Sequence, residues 1–88
     1  MPKDVIKSAD RVFGVLELFR DQQAPLTATE ICKYLSYPKS SADALLKSLV
    51  SLGYLTLDSN TMRYFPSLRV TQLGEWLPRL LLGEGDTL

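Results

Sequence analysis

The sequence predicts a mainly α chain with a small β-hairpin: a winged helix-turn-helix made of a three-helix core, a wing and a C-terminal helix. Three observations lead there. Apolar residues recur at helical spacing in three runs, the last two separated by a very short turn; a β-prone hairpin follows at once; and a further helical run closes the chain.

The first helix is expected from about Ser8 to Asp21. Val12, Leu16 and Phe19, with Val5, Ala9 and Val15 alongside, form an apolar stripe, while Asp10, Arg11, Glu17, Arg20 and Asp21 are polar. Ile6 and Phe13 widen the apolar face, so either the core wraps this helix or part of it meets a second subunit. Gln22 to Pro25 reads as a loop. The second helix starts near Ala28: Thr27 caps it, Glu30 completes a capping box, and Leu26 packs on Ile31 as a hydrophobic staple. Ile31 and Leu35 point inward, with Cys32 beside them as a small, partly buried hydrophobe.

After a turn at Ser36 and Tyr37, Pro38 is expected at the first position of the third helix, where its missing N–H costs nothing. Ala42, Leu45, Leu46 and Leu49 form its buried face and Gly53 stops it. Lys39, Ser40, Asp43, Ala44, Lys47 and Ser48 make a face of small and polar residues. Such a face on the second helix of a tight pair suits insertion into a major groove, and equally suits plain solvation.

Tyr54 to Leu57 and Met62 to Phe65 are β-prone, Asp58 to Thr61 form the turn between them, and Pro66 ends the second strand. A lone hairpin is marginal in water, so this one must pack on the helices; Leu26 can add a minimal third strand. Leu68, Val70, Leu73, Trp76, Leu77, Leu80 and Leu81 then recur at helical spacing between about Ser67 and Leu82, with Gly74 and Pro78 kinking or dividing the run. Trp76 is most simply a core anchor, the alternative being a dimer contact. The chain is expected to be one domain over residues 1–88, with 83–88 a frayed tail.

Composition narrows the function. There is no histidine and a single cysteine, so the commonest general base, a zinc cluster and an internal disulfide are all missing. No glycine-rich phosphate cradle or paired-carboxylate site stands out. An enzyme is not expected, nor a cofactor or a metal. No apolar run exceeds three residues, as at Leu80 to Leu82, too short for a membrane span, and a cytoplasmic location is expected.

Several segments, taken in order, resemble the N-terminal DNA-binding domain of the IclR family of bacterial transcriptional regulators. They are Ser8-Ala9-Asp10-Arg11-Val12, Val15-Leu16-Glu17-Leu18-Phe19, Leu26-Thr27-Ala28-Thr29-Glu30-Ile31, Pro38-Lys39-Ser40-Ser41, Leu45-Leu46-Lys47-Ser48-Leu49 and Gly53-Tyr54-Leu55, with Tyr64, Leu73 and Gly74 beyond. The resemblance covers roughly Ser8 to Gly74. It implies sequence-specific binding of double-stranded DNA by a dimeric regulator, with a recognition helix at about 38–52 in the major groove and a wing at 54–65 near the backbone or minor groove. It further implies that Ser40, Ser41, Ala44 and Lys47 face the groove, that Thr27, Thr29 and Lys39 meet phosphates, and that Arg63 works from the wing. Leu68 to Leu82 would match the family's linker. The family's larger effector-binding domain has no counterpart in these residues, so no small-molecule effector site is expected here. Asp43 stands where family members commonly carry a basic residue, although a carboxylate can accept from cytosine N4.

The chain carries ten basic and ten acidic residues. The neutral sum hides a distribution: residues 33–69 hold Lys33, Lys39, Lys47, Arg63 and Arg69 against Asp43 and Asp58, a net +3. So few cations favour two copies acting on adjacent grooves, and the apolar surplus in the first and last helices, Phe13, Trp76, Leu80 and Leu81 above all, supplies the expected interface of a homodimer. A neutral surface with Asp43 on the recognition face suits the competing class equally: a winged module that binds a protein partner, with weak or no DNA binding.

Overall fold

The computed structural model describes residues 4–83. Helix α1 spans Lys7–Gln22, strand β1 Leu26–Thr27, helix α2 Ala28–Leu35, helix α3 Lys39–Ser51, strands β2 and β3 Leu55–Asp58 and Arg63–Pro66, and helices α4 and α5 Leu68–Gly74 and Leu77–Leu81. The fold is the expected winged helix-turn-helix, with the minimal third strand present: the sheet runs β1-β3-β2, antiparallel throughout. Residues 84–88, most of the expected frayed tail, lie outside the described part.

The core gathers Val15, Leu18 and Phe19 of α1, Leu26, Ile31 of α2, Leu46 and Leu49 of α3, Leu55 and Tyr64. The inward face of α1 is thus turned from the expected stripe: Val12 and Leu16 are only partly buried, and Val5 and Ala9 are exposed. Packing against α2 and β3 selects that face, a choice that apolar spacing on a broadly hydrophobic helix leaves open. Leu26 and Ile31 both reach the core, as the staple requires, and Cys32 is half-buried.

Two helix ends place α3. After α2, Ser36 takes a left-handed conformation (φ 56°) and the Tyr37 N–H returns to the Cys32 carbonyl at 3.2 Å. Tyr37 then lies against α1, where a Cβ on Gly14 would come within 2.6 Å of its hydroxyl, so that glycine admits the turn. Pro38 does not begin the helix as expected but caps it, with ψ 137° and its carbonyl accepting from Ala42 N–H at 3.0 Å. At the far end Gly53 (φ 91°) closes a paired motif: Gly53 N–H to Val50 O at 3.0 Å and Tyr54 N–H to Leu49 O at 2.9 Å.

The wing pairs Leu55 with Pro66 and Asp58 with Arg63. Met62 does not join β3; it sits in the turn with φ 59°, its N–H donating to the Asp58 carbonyl at 2.7 Å. Pro66 is the last paired residue rather than the first beyond the strand, a place where a missing N–H is tolerated. Phe65 meets Phe19 edge to face at 6.2 Å, which holds the hairpin on α1.

The closing run divides at Glu75 and Trp76, and Pro78 lies in the first turn of α5. Trp76 is not a core anchor: it is 54% exposed, its indole N–H bonded to the Leu73 carbonyl. Residues 71–83 are exposed throughout and none of them joins the core, which gathers side chains of α1, α2, α3 and the sheet.

Candidate nucleic-acid interface

The core face of α3 is taken by Ala42, Leu46 and Leu49, which leaves Ser40, Ser41, Ala44, Lys47 and Ser48 exposed along the rest of the helix. That exposed face looks out between two concavities. One, of about 320 Å³, is lined by Thr27, Ala28 and Thr29 at the start of α2, Lys39, Asp43 and Lys47 on α3, and Met62 and Tyr64 of the wing. Five of the residues expected to contact DNA therefore converge here, Thr27 from β1, Thr29 from α2 and Lys39, Asp43 and Lys47 from α3. The other, of about 430 Å³, sets Ser41, Ala44 and Ser48 against Lys7, Ser8 and Arg11 at the start of α1.

Lys7, Arg11, Met62 and Tyr64 were not singled out by sequence reasoning. Arg11 had a visible signal, a cation at the polar margin of an amphipathic helix, but which groove it borders depends on how α1 crosses α3. Its guanidinium lies 5.1 Å over the Tyr37 ring. Tyr37 is deprotonated less readily than usual, first through burial and then through the nearby Asp10 charge.

The charges at the site differ in how free they are. Lys39 Nζ and Asp43 Oδ2 stand 3.7 Å apart across one helical turn, an exposed pair of small energy that an incoming phosphate can break. Lys47 has no ion pair among the described residues. Asp43 also faces Tyr64, whose phenol is pushed up by burial first and by that carboxylate second. Ser48 is partly spent, its hydroxyl donating to the Ala44 carbonyl at 2.9 Å.

Thr27 and Arg63 are held within the protein. The Thr27 hydroxyl accepts from Glu30 N–H at 3.2 Å, and Glu30 Oε1 accepts from Thr27 N–H at 2.8 Å, the full capping box. Arg63 Nη1 reaches the same carboxylate oxygen at 3.0 Å. The Thr27 backbone N–H in the first place, then its hydroxyl and Arg63, hold the Glu30 carboxyl below its ordinary value. The expected dimer residues, by contrast, are all open: Phe13 is 64%, Leu80 73% and Leu81 72% exposed.

Comparison with known proteins gives a consistent likeness. The IclR helix-turn-helix domain matches residues 8–59. The chain is 29% identical over 73 residues to the HTH-type transcriptional regulator XynR of Escherichia coli (strain K12), across 83% of this chain and 29% of that protein. Its fold is similar to that of an IclR family transcriptional regulator from Brucella abortus, with a TM-score of 0.78 and 26% identity over 86% of this chain and 29% of the other. The chain thus spans 29% of the length of each of these relatives.

Proposed function

The chain belongs to the IclR helix-turn-helix domain family, and we propose that it binds duplex DNA sequence-specifically, as a homodimer, and thereby regulates transcription. The observation that carries this reading is the exposed face of α3, small and polar from Ser40 to Ser48, with cations on either side: Lys39 and Lys47 towards the wing, Lys7 and Arg11 towards α1. Short side chains let the helix approach base edges closely, and flanking cations meet the two phosphate backbones that border a major groove. Ser40, Ser41, Ala44 and Asp43 are the base-facing candidates, and Thr29, Lys39 and Lys47 the phosphate-facing ones. Such work belongs in the cytoplasm, beside a bacterial chromosome.

Pairing of two copies is supported by what the fold leaves uncovered. Phe13 and Leu52 stand exposed around an apolar depression of about 210 Å³ that also takes in Val12, Leu16 and Leu73, and Trp76, Leu80 and Leu81 are exposed further along the chain. Contiguous apolar surface of this kind marks interaction sites. Two copies also double the number of phosphate contacts, which a neutral chain needs.

Selection of duplexes from a random-sequence library tests the reading. The wild-type chain is expected to enrich a defined sequence and the Lys47→Ala chain to enrich it poorly; recovery of duplexes without any common sequence would refute specific recognition.

A further inference from the structure

We infer that Arg63 is a positioning residue that fixes the wing against the start of α2, and that the wing meets DNA without a free cation; this rests on the DNA-binding reading above. Arg63 stands on the central strand, opposite Thr27 on β1 and Asp58 on β2. Its Nη1 donates to Glu30 Oε1 at 3.0 Å and towards the Pro25 carbonyl at 3.4 Å. The same Glu30 oxygen accepts the Thr27 N–H at 2.8 Å and the Thr27 hydroxyl at 3.2 Å. One carboxylate oxygen therefore caps a helix and anchors a strand, and the guanidinium joins the wing to the loop before β1.

Swinging Arg63 out to a phosphate would break both anchors and leave Glu30 as an uncompensated negative charge facing a polyanion. The only other charge in the hairpin, Asp58, is anionic and is occupied in the turn, accepting from Asn60 N–H at 2.9 Å. The tip is left with Ser59, Asn60 and Thr61, which can meet a backbone only through neutral donors. What the latch fixes is the placement of the two neighbours of Arg63: Met62 and Tyr64 form the wall opposite Lys39, Asp43 and Lys47. A loosened wing would move that wall, and with it the width of the concavity beside the recognition helix.

Glu30→Gln separates the two roles by sign. Glutamine still serves at that position of a capping box, so α2 keeps its start while Arg63 loses its counter-charge. If Arg63 positions the wing, Glu30→Gln weakens binding to a duplex selected by the wild-type chain by about fivefold, the size of an ordinary single-site loss, and Arg63→Ala leaves the salt dependence unchanged. Tighter or unaltered binding by Glu30→Gln overturns the inference. So does a log–log salt slope that Arg63→Ala makes shallower by about 0.9 per copy, the signature of a lost phosphate contact. Amide hydrogen exchange on the free chain reads the latch without DNA. Faster exchange in β1 and β3 of both variants, with α1 and α3 unaltered, is expected, and unaltered exchange in β1 and β3 overturns the inference. Failure of the wild-type chain to select any duplex would count against the DNA-binding reading alone.

Discussion

Salt dependence measures how many cations meet DNA and how many copies bring them. Lys7, Arg11, Lys39 and Lys47 border the exposed face of α3, four per copy. Arg63 is held by Glu30, Arg69 lines neither concavity beside α3, and Lys33 lines a separate one with Glu30 and Tyr34. At about 0.9 log units per neutralised phosphate, one copy gives a slope of about −3.6 in log K against log salt, and a pair about −7. Between roughly 50 and 200 mM salt a single copy then loses about 10²-fold in affinity and a pair about 10⁴-fold. Lys47→Ala removes one contact per copy, so the slope of the pair becomes shallower by about 1.8. Fluorescence anisotropy of a labelled selected duplex, titrated at several salt concentrations, gives both slopes. A wild-type slope no steeper than about −2, or one that Lys47→Ala leaves unchanged, refutes the reasoning.

Leu46 is completely buried between α3 and the rest of the core, so Leu46→Ala is expected to cost about 3 kcal/mol and lower the thermal midpoint by roughly 10–20 °C; circular dichroism melts check it, with half-buried Leu45→Ala as the milder control. Replacing Trp76 and Leu80 together by alanine is expected to abolish dimer formation in sedimentation while changing monomer stability by no more than about 0.5 kcal/mol per site, since both side chains are exposed in one copy; a surviving dimer would exclude this surface as the interface. Glu30 is more acidic in the folded chain than its ordinary value of 4.5, so the unfolded chain binds more protons in that range. Its contribution is full above about pH 4.5 and is lost as pH falls through the lowered folded value. Denaturant melts from pH 6 to 3 should show this loss in the wild type and lack it in Glu30→Gln, and equal profiles would mean that Glu30 titrates normally.

How legible the chain was varied with the range of the forces involved. The capping box was plain, because Thr27 and Glu30 are three residues apart and complete their bonds within one helical turn. Gly53 announced the end of α3 for the same reason, as only a residue tolerant of positive φ closes that motif cheaply. Pro38 misled by one place, since both the first helical position and the cap accept a residue without an N–H. Met62 misled because a β-prone side chain says nothing of the positive φ that its turn imposes. Trp76 misled most: its size argues for burial, but burial needs a partner surface, and the core was complete without it.

The sequence by itself determined the order of elements, their type and the small polar face of α3, because these follow from local periodicity and from caps that close within a few residues. Tertiary structure alone decided which cations are available. Arg63 and Glu30 are 33 residues apart, and they meet only because β1 and β3 pair in the register that sets Thr27 opposite Arg63. Likewise Lys7 and Arg11 come to share a concavity with Ser41, Ala44 and Ser48 of α3 only in the folded chain. Charge is counted along a chain, but its use depends on distances that packing sets, and a salt bridge of 3.0 Å engages a cation that a tally of residues counts as free.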